Sequence, residues 1–522
     1  MAEIMAPGVA LFDYDNDGDL DVYLVQGGPL SPAPAGAGRL AAPARVGDRL
    51  YRNDLENDVL RFTDVTAASG IESRGYGMGV ATGDFDNDGR TDLYLTRFDA
   101  PNQLLRNNGD GTFSDVSKSS GTDHHSWSAS AAFVDIDRDG WLDLYVTNYL
   151  RYNRADEAPC VNAAGARGYC RPDAFPPLSD RLYVNRRDGT FADVSGPAGI
   201  LRESAPGLGV ATADFDRDGW MDIYVANDGR ENHLWRNRHD GTFENVALLS
   251  GVALPVTGRA EASMGVDAGD FDDDGDDDLV VTELTGEGTN LFVNDGSGVF
   301  EDRSVPSGLG PATMAFTGFG AAWIDADRDG RLDLMAVNGA VQIIEPLRHA
   351  GDPLPLHQRK LLFANSGGGR FHEVGNTAGA AFALSEVGRG LAVGDVDNDG
   401  VADVLVGNNH GPTRLLLNES GRRRQGSGTQ VPHHWIGLSL TGQGGRYMLG
   451  ARVEVVTSNG SRWRRARADG SYLSANDPRV LVALGAVDAA PDVRVVWPGG
   501  RTETFRSVPI DRYTALREGE GD

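Results

Sequence analysis

Cysteine is scarce in this 522-residue chain: only Cys160 and Cys170 occur. Two thiols cannot build the multi-bridge framework of a small secreted domain, nor a four-cysteine zinc site. No run approaches eighteen apolar residues, which excludes a membrane-spanning helix. The ten histidines sit in no recognisable nucleophile, zinc or phosphate motif, so no enzyme is expected. Basic residues are outnumbered, 48 Lys and Arg against 76 Asp and Glu, for a formal net charge of −28. Met1 is followed by neither a basic stretch nor an apolar one, so no signal peptide is visible.

What fills the chain instead is aspartate in a fixed pattern. Asp-x-Asp-x-Asp-Gly-x-x-Asp occurs seven times. The first three copies place carboxylates at Asp13, Asp15, Asp17 and Asp21, then at Asp84, Asp86, Asp88 and Asp92, then at Asp135, Asp137, Asp139 and Asp143. The fourth and fifth place them at Asp214, Asp216, Asp218 and Asp222, and at Asp270, Asp272, Asp274 and Asp278. The last two use Asp325, Asp327, Asp329 and Asp333, and Asp395, Asp397, Asp399 and Asp403. Short carboxylates at alternate positions suit a hard cation that takes roughly six to eight oxygens. The central glycine lets the backbone turn so that they converge. Zinc would want Cys or His, and no loop contains either. The expected ligand is calcium, about one ion per loop.

An EF-hand loop opens the same way but needs Glu at its twelfth position. Here that position is Leu24, Leu95, Val146, Val225, Val281, Ala336 and Val406. Apolar residues alternate after each loop, as in Asp21-Val-Tyr-Leu-Val, and a short apolar run precedes it, as in Gly8-Val-Ala-Leu-Phe. Each loop therefore joins two strands of a hairpin rather than two helices. Four Asp in each of seven loops make 28, which equals the formal net charge, and the other 48 acids balance the 48 bases. The acidity belongs to the metal loops and gives no reason to expect a basic partner.

Each repeat continues with a Leu-aromatic-Asn strand, such as Leu50-Tyr-Arg-Asn or Leu234-Trp-Arg-Asn. An Asp-Gly turn and a short strand follow, as in Asp110-Gly-Thr-Phe-Ser-Asp-Val. Four short antiparallel strands per repeat make one propeller blade, and such blades bury their faces only by stacking around a ring. Glycines crowd the strand before each loop, which suits an innermost strand beside a central channel. The seventh repeat lacks a Phe-x-Asp-Val strand after Leu417, so that blade is expected to be short of its outer strand or to borrow one.

These loops and turns resemble FG-GAP/VCBS repeats of the integrin α-subunit type, which implies a seven-bladed β-propeller over residues 1–420 with calcium in hairpin loops. A polar, glycine-rich stretch, 421–432, reads as a linker. Beyond it, Gly450-Ala-Arg-Val, Gly470-Ser-Tyr-Leu-Ser and Val495-Val-Trp-Pro-Gly-Gly-Arg-Thr-Glu resemble the ASPIC/UnbV domain, here 433–519. That combination is similar to the cartilage acidic protein 1 family. The expected fold is all-β, a propeller followed by a small β-sandwich-like domain. Gln443-Gly-Gly-Arg-Tyr-Met-Leu departs from the Asn/Arg-rich turn the resemblance implies.

Arg462, Arg464, Arg465 and Arg467 flank Trp463 in this last domain. Residues 429–522 hold 12 Arg against 10 acids, a net of about +2, so the run reads as the solvated face of a strand rather than a nucleic-acid surface. Cys160 and Cys170 lie in the longest of three insertions and read as a local disulfide. A disulfide and weak calcium sites both fit an oxidising exterior, so a secreted or periplasmic protein is expected, its leader removed or missing. The leading reading is a calcium-dependent scaffold, adhesion or ligand-binding module. Its insertions, Gly28–Asp48, Tyr152–Ser179 and Val341–Gln358, would face an extracellular protein or glycan. The alternative is a secreted enzyme acting on polysaccharide at the channel mouth. Nothing in the sequence sets the oligomeric state.

Overall fold

The computed structural model describes residues 2–28, 47–57, 59–152, 160–161, 167–421, 433–457, 460–487 and 489–522. Seven antiparallel sheets follow one another along the chain. In blade 1, Val9–Phe12 pairs with Asp21–Leu24, then come Arg49–Asn53 and Phe62–Asp64. The other inner strands are Tyr76–Gly83, Ser128–Val134, Gly207–Ala213, Val266–Gly269, Gly318–Ile324 and Gly388–Gly394. Each lies against the next, and the seventh lies against the first, which closes the ring. Six blades have four strands. Among the described residues the seventh has three, ending at Arg414–Leu416, so its outer strand is missing as expected. The linker lies, apart from Gly421, outside the described residues, and so does the first insertion between 29 and 46.

The Asp-Gly turns have a local cause. Asp110 accepts hydrogen bonds from the Thr112 amide and hydroxyl, at 3.1 and 2.6 Å, and Gly111 supplies φ 84°. At three junctions the phenylalanine that follows is buried and meets an aromatic from the preceding blade's Asp loop. Phe85 lies 5.8 Å from Phe191, Phe215 5.7 Å from Phe300, and Phe271 5.5 Å from Phe371. One residue type at one repeat position thus packs across these three junctions.

The C-terminal domain has two sheets over a single core that includes Trp497, Val453 and Leu438. Val480–Gly485, His434–Thr441 and Tyr513–Arg517 form one sheet. Gly460–Arg465, Arg452–Thr457, Asp492–Val496 and Thr502–Phe505 form the other. Trp497 is fully buried, and its indole N–H donates to Glu503 at 2.6 Å. No described helix is long and apolar enough to cross a membrane.

Candidate metal centre

All seven Asp loops occupy the turn between the first and second strands of a blade, so all lie on one face of the ring. Their backbone is nearly identical. The fourth residue is left-handed in every loop (Asn16, Asn87, Arg138, Arg217, Asp273, Arg328 and Asn398, φ 54–65°). The glycine two places on is left-handed too, for example Gly18 at 92°. In every loop the first aspartate's Oδ2 accepts that glycine's N–H, at 2.8–3.0 Å.

The ninth aspartate is the clasp. Its Oδ1 accepts the backbone N–H of the asparagine ending the third strand, at 2.7–2.8 Å in all seven blades. Its Oδ2 accepts the N–H of the loop's second residue in six. That same asparagine then reaches across to the preceding blade. Asn107 donates to the Tyr14 carbonyl, Asn185 to Phe85, Asn237 to Ile136, Asn294 to Phe215, Asn365 to Phe271 and Asn418 to Ala326. Asn53 donates to Val396 and so joins blade 1 to blade 7. Loop shape and blade stacking are one network.

Some carboxylate oxygens of the loops remain unsatisfied. Asp13 Oδ1, Asp214 Oδ1 and Asp325 Oδ1, the same atom in three loops, are buried without a hydrogen-bond partner. Asp86 Oδ1 and Asp278 Oδ2 are in the same state. Carboxylate oxygens of Asp13, Asp15 and Asp17, and of Asp214, Asp216 and Asp218, lie within 4.8 Å of one another. In the second, third and fifth loops the cluster is the first, third and ninth aspartates: Asp84, Asp86, Asp92; Asp135, Asp137, Asp143; Asp270, Asp272, Asp278. Burial lifts the first aspartate to about 6 at Asp13, Asp135 and Asp214, and to about 7 at Asp84, Asp270, Asp325 and Asp395. It lifts Asp21 to about 9 and Asp403 to about 8, and Asp92, Asp143, Asp222 and Asp278 well above the carboxylate range. Ionised together, these buried carboxylates would repel one another strongly without a counter-ion. The donors are all hard oxygens, so these clusters fit a divalent cation of the calcium type.

The arginine run is not a solvated face. It docks the C-terminal domain onto the metal loops. Arg462 and Arg464 bind Asp273, at 2.6 and 3.3 Å, Arg465 binds Asp277 at 3.2 Å, and Arg467 binds Asp267. Arg446 and Arg452 donate to the loop carbonyls of Gly140 and Gly275, and Arg479 to those of Gly18 and Asp395. Tyr513 donates to Asp395 Oδ2 at 2.9 Å, and Gly444 of the divergent turn lies over Gly89. The signal was present in the sequence. The fifth loop carries three aspartates beyond the pattern, Asp273, Asp276 and Asp277, and each pairs with an arginine, Asp276 with Arg217.

The segment from Asp469 to Asp477 enters the channel itself. Val80 and Val266 donate to the Leu473 and Ser471 carbonyls at 3.0 Å, Ala475 exchanges hydrogen bonds with blade 1, and Thr212 binds Asp469. A Cβ on Gly8 would sit 1.9 Å from the Leu473 carbonyl oxygen, so this glycine makes room for the plug. Tyr472 and Leu473 are fully buried against Phe319 and Met78, and Ile4 and Met5 close the core from the other side. Cys160 and Cys170 form a disulfide, and Cys170 packs into the same cluster.

Comparison with known proteins agrees with this architecture. The FG-GAP-like repeat family matches residues 13–95, 84–146, 174–225, 214–281 and 270–336. The FG-GAP repeat matches 387–428, and the family described as ASPIC and UnbV matches 441–522. Cartilage acidic protein 1 of Mus musculus is 25% identical over 98% of this chain and 73% of its own length. That of Homo sapiens is 26% identical over 95% of this chain and 69% of its own. The solved structure of YCF48 bound to D1 peptide is 7% identical, with a TM-score of 0.42, over 79% of this chain and 94% of that one. With its repeats, its terminal domain and these relatives, the chain belongs to the FG-GAP-repeat, ASPIC/UnbV family of cartilage acidic protein 1.

Proposed function

We propose that this chain is a calcium-braced scaffold of the extracellular space, secreted or periplasmic, that binds a protein or glycan and performs no catalysis. Calcium, held in the seven Asp loops, supplies the positive charge that their buried carboxylates lack, and its role is structural. The carrying observation is a division between two faces. The metal-loop face is covered by the C-terminal domain. The three insertions all join second to third strands, so their described ends leave the ring at the opposite face. A rigid ring that carries its longest loops on the side away from the C-terminal domain suits recognition. The channel is filled by Tyr472, Leu473 and Met5, which favours a binder over an enzyme working at the channel mouth. The disulfide in the longest insertion suits an oxidising compartment.

The test is to probe a glycan array and a panel of purified matrix proteins with the full chain, with and without calcium. A second protein would carry Tyr169→Ser and Ile343→Ser, both more than 40% exposed on the insertions. Calcium-dependent binding weakened at least tenfold in the variant is expected. Binding that ignores both changes, or release of reducing ends from a polysaccharide, would overturn the reading.

A further inference from the structure

The open face carries an acidic group that the repeat pattern does not account for. Glu283 and Glu287 follow the second strand of blade 5, Asp278–Val281, at the end remote from its metal loop. Glu261 precedes that blade's inner strand, and Asp228 directly follows the second strand of blade 4, Asp222–Asn227. An isolated β-bridge between Asp228 and Ala262 draws the two blades together, and the Gly229 amide donates to the Glu261 carbonyl at 2.9 Å. Glu287 accepts the Ala262 and Leu284 amides, at 2.9 and 3.3 Å. One amide group, Asn290 Nδ2, donates to both Glu261 and Glu283 at 3.0 Å. Two carboxylates that share a donor are neighbours.

Among the described residues none of these four acids forms an ion pair with a lysine or arginine. The cation felt by Asp228 is Arg171, an exposed side chain that pairs with Asp173. Asp228 is instead held by the Tyr149 hydroxyl at 2.6 Å.

An independent sign of a ligand lies at Glu283, beside Glu261 and Glu287. Glu283 is only 2% exposed. Its Oε1 accepts Ser263 Oγ and Asn290 Nδ2, but its Oε2 has no hydrogen-bond partner. Burial, then the charges of Glu261 and Glu287, push this carboxyl well above its usual range. A proton on Glu283 would be shared with a neighbouring carboxylate and would cancel only one of the clustered charges. A cation satisfies both the charge and the lone pairs. A partner's lysine or arginine must bring its stem along and cannot reach an atom so deep; a compact ion can.

We propose that Glu261, Glu283 and Glu287 form a further divalent-cation site of the calcium class, on the open face and outside the seven Asp loops. Three glutamates without nitrogen or sulfur donors select a hard ion. Asp228 adds negative charge behind them. An ion here would tie the connection between blades 4 and 5 to the face that carries the insertions.

Equilibrium dialysis of the full chain against radioactive calcium tests this. Glu261 and Glu287 are half-buried and near-isosteric with glutamine, so E261Q/E287Q should fold as the parent does; a chelator melt and far-UV circular dichroism check that. The double variant is expected to bind one ion fewer than the parent. A loop variant, Asp13→Asn with Asp15→Asn, should lose a different ion, and the combined protein should lose both. An unchanged ion count in folded E261Q/E287Q would overturn the proposal. If the Asp loops bind nothing, the parent would hold a single ion that only E261Q/E287Q removes, so the two readings fail separately.

Discussion

Single side chains here do two jobs, and the asparagine ending each third strand is the clearest case. Asn294 Nδ2 donates to Phe215 O and Asp277 O, and its backbone is held by Asp278. Asn294→Ala leaves two buried carbonyls unpaired and should cost about 1–3 kcal/mol in a denaturant melt of calcium-loaded protein. A loss no larger than that of an exposed-turn change, Thr242→Ala, would show that the blades do not depend on this clasp. Asp180 offers a test by pH. Burial lifts its carboxyl to about 7, against the Asn148 amide and the Tyr145 hydroxyl. An unfolded aspartate titrates near about 4. The native state therefore keeps this proton where the unfolded chain has lost it. The contribution is full below about pH 4 and is lost as pH rises through about 7. Asp180→Asn should remove that part of the slope between pH 4 and 7, and an identical slope in both proteins would contradict the assignment.

At the scale of elements, the Asp loop's hairpin turn was legible because its chemistry is local. Four carboxylates and a glycine at fixed spacing lie within nine residues, and their backbone is set by that same stretch. The Asp-Gly-Thr-Phe turn was legible for the same reason. The roles of the ninth aspartate and the third-strand asparagine were not, since their partners lie up to 343 residues away. The arginine run was misread because a strand with alternating charge looks solvated until its partner surface is known. Its pairing with the surplus aspartates of the fifth loop makes a sharp prediction. Arg465 and Asp277 are 4% and 10% exposed at their side chains. Arg465→Ala should cost about 3–5 kcal/mol because it strands a buried carboxylate. A double-mutant cycle with Asp277→Ala should return a coupling of about 0.5–3 kcal/mol. Additive losses would mean that this pair does not help hold the domains together.

On the scale of the whole molecule, the ring, its cover and its plug form one unit. Fold class and repeat number followed from periodicity, because a blade cannot bury its faces alone. The position of the C-terminal domain could not be read, since no local pattern says which face of a ring a second domain will cover. Its placement joins the Asp loops to the architecture: they are the surface on which that domain sits. Each loop with a dissociation constant near about 10⁻⁴ M would gain about 1.4 kcal/mol in millimolar calcium. Seven give about 10 kcal/mol, as much as the total stability of an ordinary domain.

The most direct measurement is a thermal melt of the purified chain in chelator and again in millimolar calcium. A braced propeller should melt at least about 10 °C higher with the ion present. An unchanged melting temperature would mean that the Asp loops are ordinary turns, and the account of the metal face built on them would be wrong.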